Sequence, residues 1–143
     1  MKISSKGRYG LAALTSMAKH EGEENLVSVI TLSERLEISK IYLEQVFSLL
    51  KRSGLVVSIK GSSGGYYLAK PPKDITVFEV LSATDTTLFE KTETTTSTKG
   101  EAIERSLHET VFNPLDMAIK NTLQGITIED IANKSDDENM FYI

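Results

Sequence analysis

Ser39-Lys40-Ile41-Tyr42-Leu43-Glu44-Gln45-Val46-Phe47-Ser48-Leu49-Leu50-Lys51-Arg52-Ser53-Gly54, running into Leu55-Val56-Val57-Ser58-Ile59-Lys60-Gly61-Ser62-Ser63-Gly64-Gly65-Tyr66-Tyr67-Leu68-Ala69, is the stretch that decides the architecture. Ser39 stands where an N-cap belongs, its hydroxyl able to accept from a free first-turn amide. Leu43, Val46, Phe47 and Leu50 then recur at helical spacing and predict a buried stripe on a helix running to Arg52, with Gly54 ending it. Leu55 to Ile59 is apolar and β-branched, Gly61 to Gly65 is a turn, and Tyr66 to Ala69 returns, which reads as a β-hairpin.

Moving outward towards the N-terminus, Leu11, Leu14 and Ala18, with Ala13 and Met17 beside them, predict an amphipathic helix over about Ser5 to His20. Glu21 to Asn25 ends it. Ser28 caps a short helix that carries Val29, Leu32 and Leu36, and Ile38-Ser39 breaks it from the next. Two short capped helices joined by a tight turn predict a helix-turn-helix. Followed by a hairpin, they give the order of a winged helix, in which the third helix enters a DNA major groove and the hairpin lies over the backbone or minor groove. The solvent face of that third helix carries Lys40, Tyr42, Glu44, Gln45, Ser48 and Arg52, and Lys60 stands at the hairpin tip with Gly61, Ser62 and Ser63.

Towards the C-terminus, Pro71-Pro72 closes the first unit, so the chain divides into residues 1–73 and 74–143. Thr76 caps a short helix with Val77, Val80 and Leu81 on one side. Thr92 to Thr98 holds five Thr, one Ser and one Glu, with nothing to bury, and is expected to be a mobile loop. From Glu101 to about Leu123 a longer helix shows Ile103, Leu107, Val111, Leu115 and Ala118 as an apolar stripe, the pattern of a helix that needs a partner. Pro114 predicts a kink near Asn113 or a break into two helices. A last short helix follows Gly125, capped by Thr127. The tail Asp136-Asp137-Glu138-Asn139 reads as loose and acidic, and Met140-Phe141-Tyr142-Ile143 as an apolar end that docks on this chain or a neighbour. The fold class is therefore mainly α with a small β-hairpin, a winged helix-turn-helix plus a long C-terminal dimerisation helix.

The 143 residues are 40% hydrophobic and 25% charged, the composition of a folded domain. No apolar run reaches the roughly 18 to 20 residues of a membrane span, and the start lacks a signal peptide's apolar core, so a cytoplasmic protein is expected. Cysteine is absent, which removes disulfides, thiolate zinc sites, cysteine-ligated iron-sulfur clusters and thiol nucleophiles from this chain. With only His20 and His108, neither a metal site nor a catalytic residue is expected. The net charge of −4 hides a split: residues 1–73 hold eleven Lys or Arg against six Glu, while 74–143 hold five against fourteen acids. A basic front joined to an acidic back fits one half that meets a polyanion.

Three stretches, Met1 to Gly10, Tyr42-Leu43-Glu44-Gln45 and Lys60 to Tyr66, together resemble the Rrf-two (Rrf2) family of bacterial winged-helix transcriptional regulators, with the likeness extending over the whole chain. The apolar ending looks most like the family's cysteine-metabolism repressors. The resemblance implies a homodimer paired through the long helix, bound to a near-palindromic operator in double-stranded DNA. It implies that Glu44 and Gln45 read bases, a Glu accepting from cytosine and a Gln pairing with adenine. It also places Lys60 in the minor groove, and Lys6, Arg8, Ser39 and Lys40 at phosphates. Two departures stand out. The family usually has Arg where Lys60 stands, and a lysine is a more strongly hydrated point charge that discriminates less in a minor groove. Members that bind a cluster carry three cysteines in the loop before the long helix, where this chain has Thr92 to Thr98, so no cofactor is expected. The resemblance further implies an input relayed by a protein partner such as a cysteine biosynthetic enzyme, or by a small ligand near that loop.

Two other classes stay in view. A winged-helix protein-interaction module would suit the net acidic charge. An enzyme would need Gly61 to Gly65 to cradle a phosphate, but that loop joins two strands, not a strand and a helix N-terminus, and lacks the lysine-serine pair of a P-loop.

Overall fold

A computed structural model of the chain describes residues 2–22 and 25–141, with side chains as far as 137. Helix α1 spans Ser5–His20, opened by Ser4, whose Oγ accepts from the Gly7 amide at 3.1 Å. Ser28 and Ser39 cap α2 (Val29–Leu36) and α3 (Lys40–Arg52), accepting from the Thr31 and Tyr42 amides as their positions require. Between them Glu37 takes the left-handed conformation, with φ 55°, and reverses the chain. Gly54, at φ +76°, does the same after α3 and delivers Leu55 to the core.

Strand β1 (Val56–Ile59) pairs antiparallel with β2 (Gly65–Leu68), in register from Val56 opposite Leu68 to Ile59 opposite Gly65. The returning strand therefore starts one residue earlier than the sequence indicates. Its partner on the other side is Val27, which exchanges two backbone hydrogen bonds of 2.9 Å with Tyr66. This one-residue third strand ties the hairpin to the chain entering α2.

After a 3₁₀ turn at Pro72–Asp74, α4 (Val77–Thr84) opens with a reciprocal capping box between Thr76 and Glu79. At its far end Asp85, 8% exposed, accepts from the amide and hydroxyl of Ser4 and clasps the start of α1. A single apolar cluster joins these elements. Leu14 and Met17 from α1, Leu32 from α2, Val46, Phe47 and Leu50 from α3, Leu68 from β2, Val80 from α4 and the later Ile128 pack together.

Helix α5 (Glu101–Leu107) continues through a π-helical stretch, His108–Phe112, into α6 (Asn113–Gln124). Pro114 thus does not interrupt the helical run, which stays continuous through Asn113. The chain widens one turn ahead of the proline, the Asn113 amide donating to His108 O, five residues back.

Helix α7 (Ile128–Phe141) begins at a second reciprocal cap, Thr127 with Asp130, but is longer than the short helix expected. Asp136 to Asn139 form part of it and are not a loose tail. The acidic run contains no Gly or Pro, and Lys19 of α1 holds the helix by donating to Ser135 Oγ at 2.7 Å and pairing with Asp136 at 3.4 Å. Of the apolar ending, Tyr142 and Ile143 lie outside the described residues, as do the side chains of Met140 and Phe141. The Thr92 to Thr98 segment also differs from a loop with nothing to hold it. Glu104, 8% exposed, accepts from the Thr95 and Thr96 amides at 2.7 and 3.1 Å, and its last residue begins a 3₁₀ turn.

Among the described residues no helix is long and apolar enough to cross a membrane.

Candidate nucleic-acid interface

Helix α3 turns Leu43, Val46, Phe47 and Leu50 fully inward, which leaves Lys40, Glu44, Gln45 and Ser48 exposed on the opposite side. The buried side is fixed from two directions. Phe47 lies against Tyr66 of the hairpin with ring centroids 4.7 Å apart, and Tyr42 meets Tyr9 of α1 edge-on at 5.0 Å. Tyr42, named by the sequence as a contact residue, is thus half-buried and carries packing as well. The helix is held rigidly enough to present its outer side chains as a unit.

Lys6 of α1 reaches that outer surface. It lines a shallow groove of 450 Å³ together with Ile41, Glu44, Gln45 and Ser48. The structure therefore brings one of the sequence-named phosphate contacts beside both of the named base readers. Lys40 pairs with Glu44 at 3.7 Å one helical turn on, with both side chains about half exposed, and Arg8 donates to Ser5 Oγ at 3.0 Å from an exposed position on α1. Ser39 spends its hydroxyl oxygen on the Tyr42 amide. Lys60, Gly61, Ser62 and Ser63 are all exposed at the end of the hairpin.

The bend there depends on close backbone approach. A Cβ on Gly64 would stand 2.1 Å from Ile59 O, and one on Gly65 only 2.4 Å from Val27 O, so each excludes any side chain. Gly61 is different, with φ +114° and open space around it. Gly64 and Gly65 are thus a folding requirement.

Sequence reasoning passed over Ile41. It is 70% exposed in the middle of the polar groove, where an aliphatic group offers contact to a thymine methyl. The signal was present: Ile41 is an apolar residue two positions ahead of Leu43 and so off the buried phase of its helix.

The Thr92 to Thr98 loop meets α5 at a second open cavity of 510 Å³. The Thr95 amide foremost, then Thr96 and His108 Nε2 at 3.1 Å, hold the Glu104 carboxyl below the usual carboxylate range against the opposing effect of burial. A group whose folded pKa is lowered contributes fully above the ordinary carboxylate range and loses that contribution as pH falls through the lowered value. The Thr95 and Thr96 amide resonances are therefore expected to move with a midpoint below that of an ordinary glutamate. Movement centred on the ordinary value would show that the clasp is not formed.

A family model described as Rrf2, "Iron-dependent Transcriptional regulator", matches residues 3–134. The chain is 36% identical over 140 residues to the HTH-type transcriptional regulator IscR of Pectobacterium atrosepticum, covering 98% of this chain and 84% of that one. It is 38% identical over 137 residues to IscR of Aliivibrio salmonicida, covering 92% and 77%. Among solved structures it superposes on CymR, the global cysteine regulator of B. subtilis, with a TM-score of 0.69 at 33% identity, over 94% of this chain and 98% of that one. T. potens IscR gives 0.65 at 31%, over 94% and 88%. The iron in the family description meets a donor set that does not fit a thiolate-held cluster. The chain has no cysteine, and the cavity beside the loop offers threonine and serine hydroxyls, Glu101, Glu104 and His108.

Proposed function

This chain belongs to the Rrf2 family of transcriptional regulators, and we propose that it is a homodimeric, sequence-specific DNA-binding repressor that works without an iron-sulfur cluster. The observation that carries this reading is the outer face of α3, where Glu44 and Gln45 stand clear of packing with Lys6 beside them, while the hairpin carries Lys60 into the open. Such a face meets base edges in a major groove, and the hairpin adds contacts to the backbone or minor groove.

Dimerisation rests on Ile103, Val111, Leu115 and Ala118, which are all exposed along α5, the π stretch and α6, with Leu107 half-buried beside them. No residue of α6 is buried within the protomer. Residues 1–73 form the DNA-binding part in this reading and 74–143 the dimerisation part, although Ile75, Val80 and Ile128 enter the same core as Phe47. For the input, the lack of a thiol and the likeness to CymR favour a protein partner such as a cysteine biosynthetic enzyme. Failure of such a purified enzyme to bind at micromolar concentration would dispose of that route.

Selection of bound sequences from a random DNA pool, at two salt concentrations, tests the function. A near-palindrome with two half-sites is expected, and no binding to any DNA at low salt would overturn the reading. On the selected site, Gln45→Ala is expected to cost about 1–3 kcal/mol and to relax preference at one base pair of each half-site. Lys60→Ala is expected to weaken all sequences alike and to reduce the salt dependence by about one counterion per wing. The reverse pattern would reverse the two roles.

A further inference from the structure

A cleft of 600 Å³ opens where α1, α2 and α7 meet, and none of its lining residues belongs to α3 or the hairpin. We propose that it binds an aliphatic carboxylic acid, the chain lying along Leu11, Leu36 and Ile131 and the carboxylate at Lys19. The proposal is independent of the DNA-binding reading.

The size falls within the range of ordinary small-molecule sites, roughly 300–1,000 Å³. Its apolar wall is aliphatic: Leu11, Leu36 and Ile131 are half-buried, and among the described residues no Phe, Tyr or Trp lines it. That wall fits an alkyl chain.

The polar end is cationic but unequally engaged. Arg35 is committed to a carboxylate, its two terminal nitrogens donating to Glu21 at 3.2 and 2.7 Å and one of them also to Ser16 Oγ at 3.0 Å. Lys19 is held less tightly. Its ammonium meets Ser135 Oγ and, at 3.4 Å, an Asp136 carboxylate that is itself 59% exposed. With three donors on the ammonium, one remains for an incoming anion. Thr15 supplies an independent pointer: it is one of the lining residues, and its Oγ1 is, among the described residues, a buried side-chain oxygen with no hydrogen-bond partner. An unmade buried hydrogen bond is costly, and a ligand acceptor relieves it. The charged groups around the site are Lys19 and Arg35 against Glu21 and Asp136, with His20 beside them; Arg35 and Glu21 neutralise each other closely, whereas the exposed Asp136 leaves Lys19 open to exchange its partner for a ligand carboxylate.

Titration of the ¹⁵N-labelled full chain with decanoate, and separately with decanol, tests this. Saturable shifts are expected at the amides of Leu11 to His20, Arg35, Leu36 and Ile131 to Ser135, with decanol binding about tenfold more weakly for want of the charge-assisted hydrogen bond. Lys19→Gln should produce the same tenfold loss for decanoate and none for decanol. Ala12→Trp, placed at an exposed cleft residue, should block both probes while leaving the α3 and hairpin resonances in place. Equal binding of the two probes, no saturation at millimolar concentration, or shifts centred on Ile103 to Leu115 would each overturn the proposal. None of these readouts involves DNA, so a failed operator selection leaves the result standing.

Discussion

Leu115→Glu is expected to leave a folded monomer that binds the selected operator at least a hundredfold more weakly than the parent chain. The side chain is 56% exposed in the protomer, as Val111 is at 47% and Ile103 at 65%, so the substitution removes little packing inside one chain. In a twofold pairing each of these residues is covered on both copies. Burying such a side chain is worth about 1.5–3 kcal/mol, and a carboxylate placed there must instead be stripped of water. Loss of the pairing separates two DNA-reading units whose linkage multiplies affinity by about 10²–10⁴. Sedimentation equilibrium reads the mass, and fluorescence anisotropy at fixed salt reads the affinity. A variant that remains dimeric would remove this face from the interface, and a monomer with undiminished affinity would remove the dimer from the function.

The second large effect is expected at Gly65, where an alanine must fail for reasons of backbone alone. Its Cβ would stand 2.4 Å from Val27 O and 2.8 Å from Val27 C, and backbone atoms have no rotamer with which to move aside. Relief requires opening the paired Val27 and Tyr66 hydrogen bonds. Two lost hydrogen bonds and the overpacking strain together come to about 2–4 kcal/mol. At about 3 °C per kcal/mol for a chain of this size, the melting temperature should fall by about 6–12 °C. Because Tyr66 also packs on Phe47, DNA binding should weaken in parallel although residue 65 carries no side chain to contact it. Gly61→Ala is the control. Its site is open, so only the strain of φ +114° is incurred, on the order of 1 kcal/mol. Equal melting of the Gly65→Ala variant and the parent would show that the hairpin does not dock on Val27.

What the sequence disclosed was whatever one segment can announce by itself. Ser28, Ser39, Thr76 and Thr127 are each a hydroxyl residue just ahead of a helical apolar pattern, and each caps the helix it precedes. The buried stripe of α3 follows from spacing alone. What stayed hidden depends on distant partners. Val27 forms a strand of one residue, too short to show any period, and its pairing depends on a glycine thirty-eight positions on. Glu104 looks like one more surface acid on a long helix until the threonine amides fold over it. The acidic run after Lys134 reads as solvated because its counter-charge, Lys19, lies more than a hundred residues away. At the proposed DNA face the polar side chains of α3 were legible as the unburied remainder of a stripe, whereas Ile41 was missed because apolar residues were sought only among those that pack.

The widened turn at His108–Phe112 bears on the geometry of any paired assembly. An α-helix advances about 100° per residue, so apolar residues spaced by four slip about 40° at each step and wind about 120° around the rod from position 103 to 115. A π turn advances less per residue and takes back part of that slip. Ile103, Leu107, Val111 and Leu115 are thereby spread over a narrower arc than an unbroken α-helix would give them. The proline expected to interrupt the helix follows the turn that narrows that arc. In a twofold dimer, that angular setting is transmitted to the separation of the two reading heads, and so to the number of base pairs between half-sites.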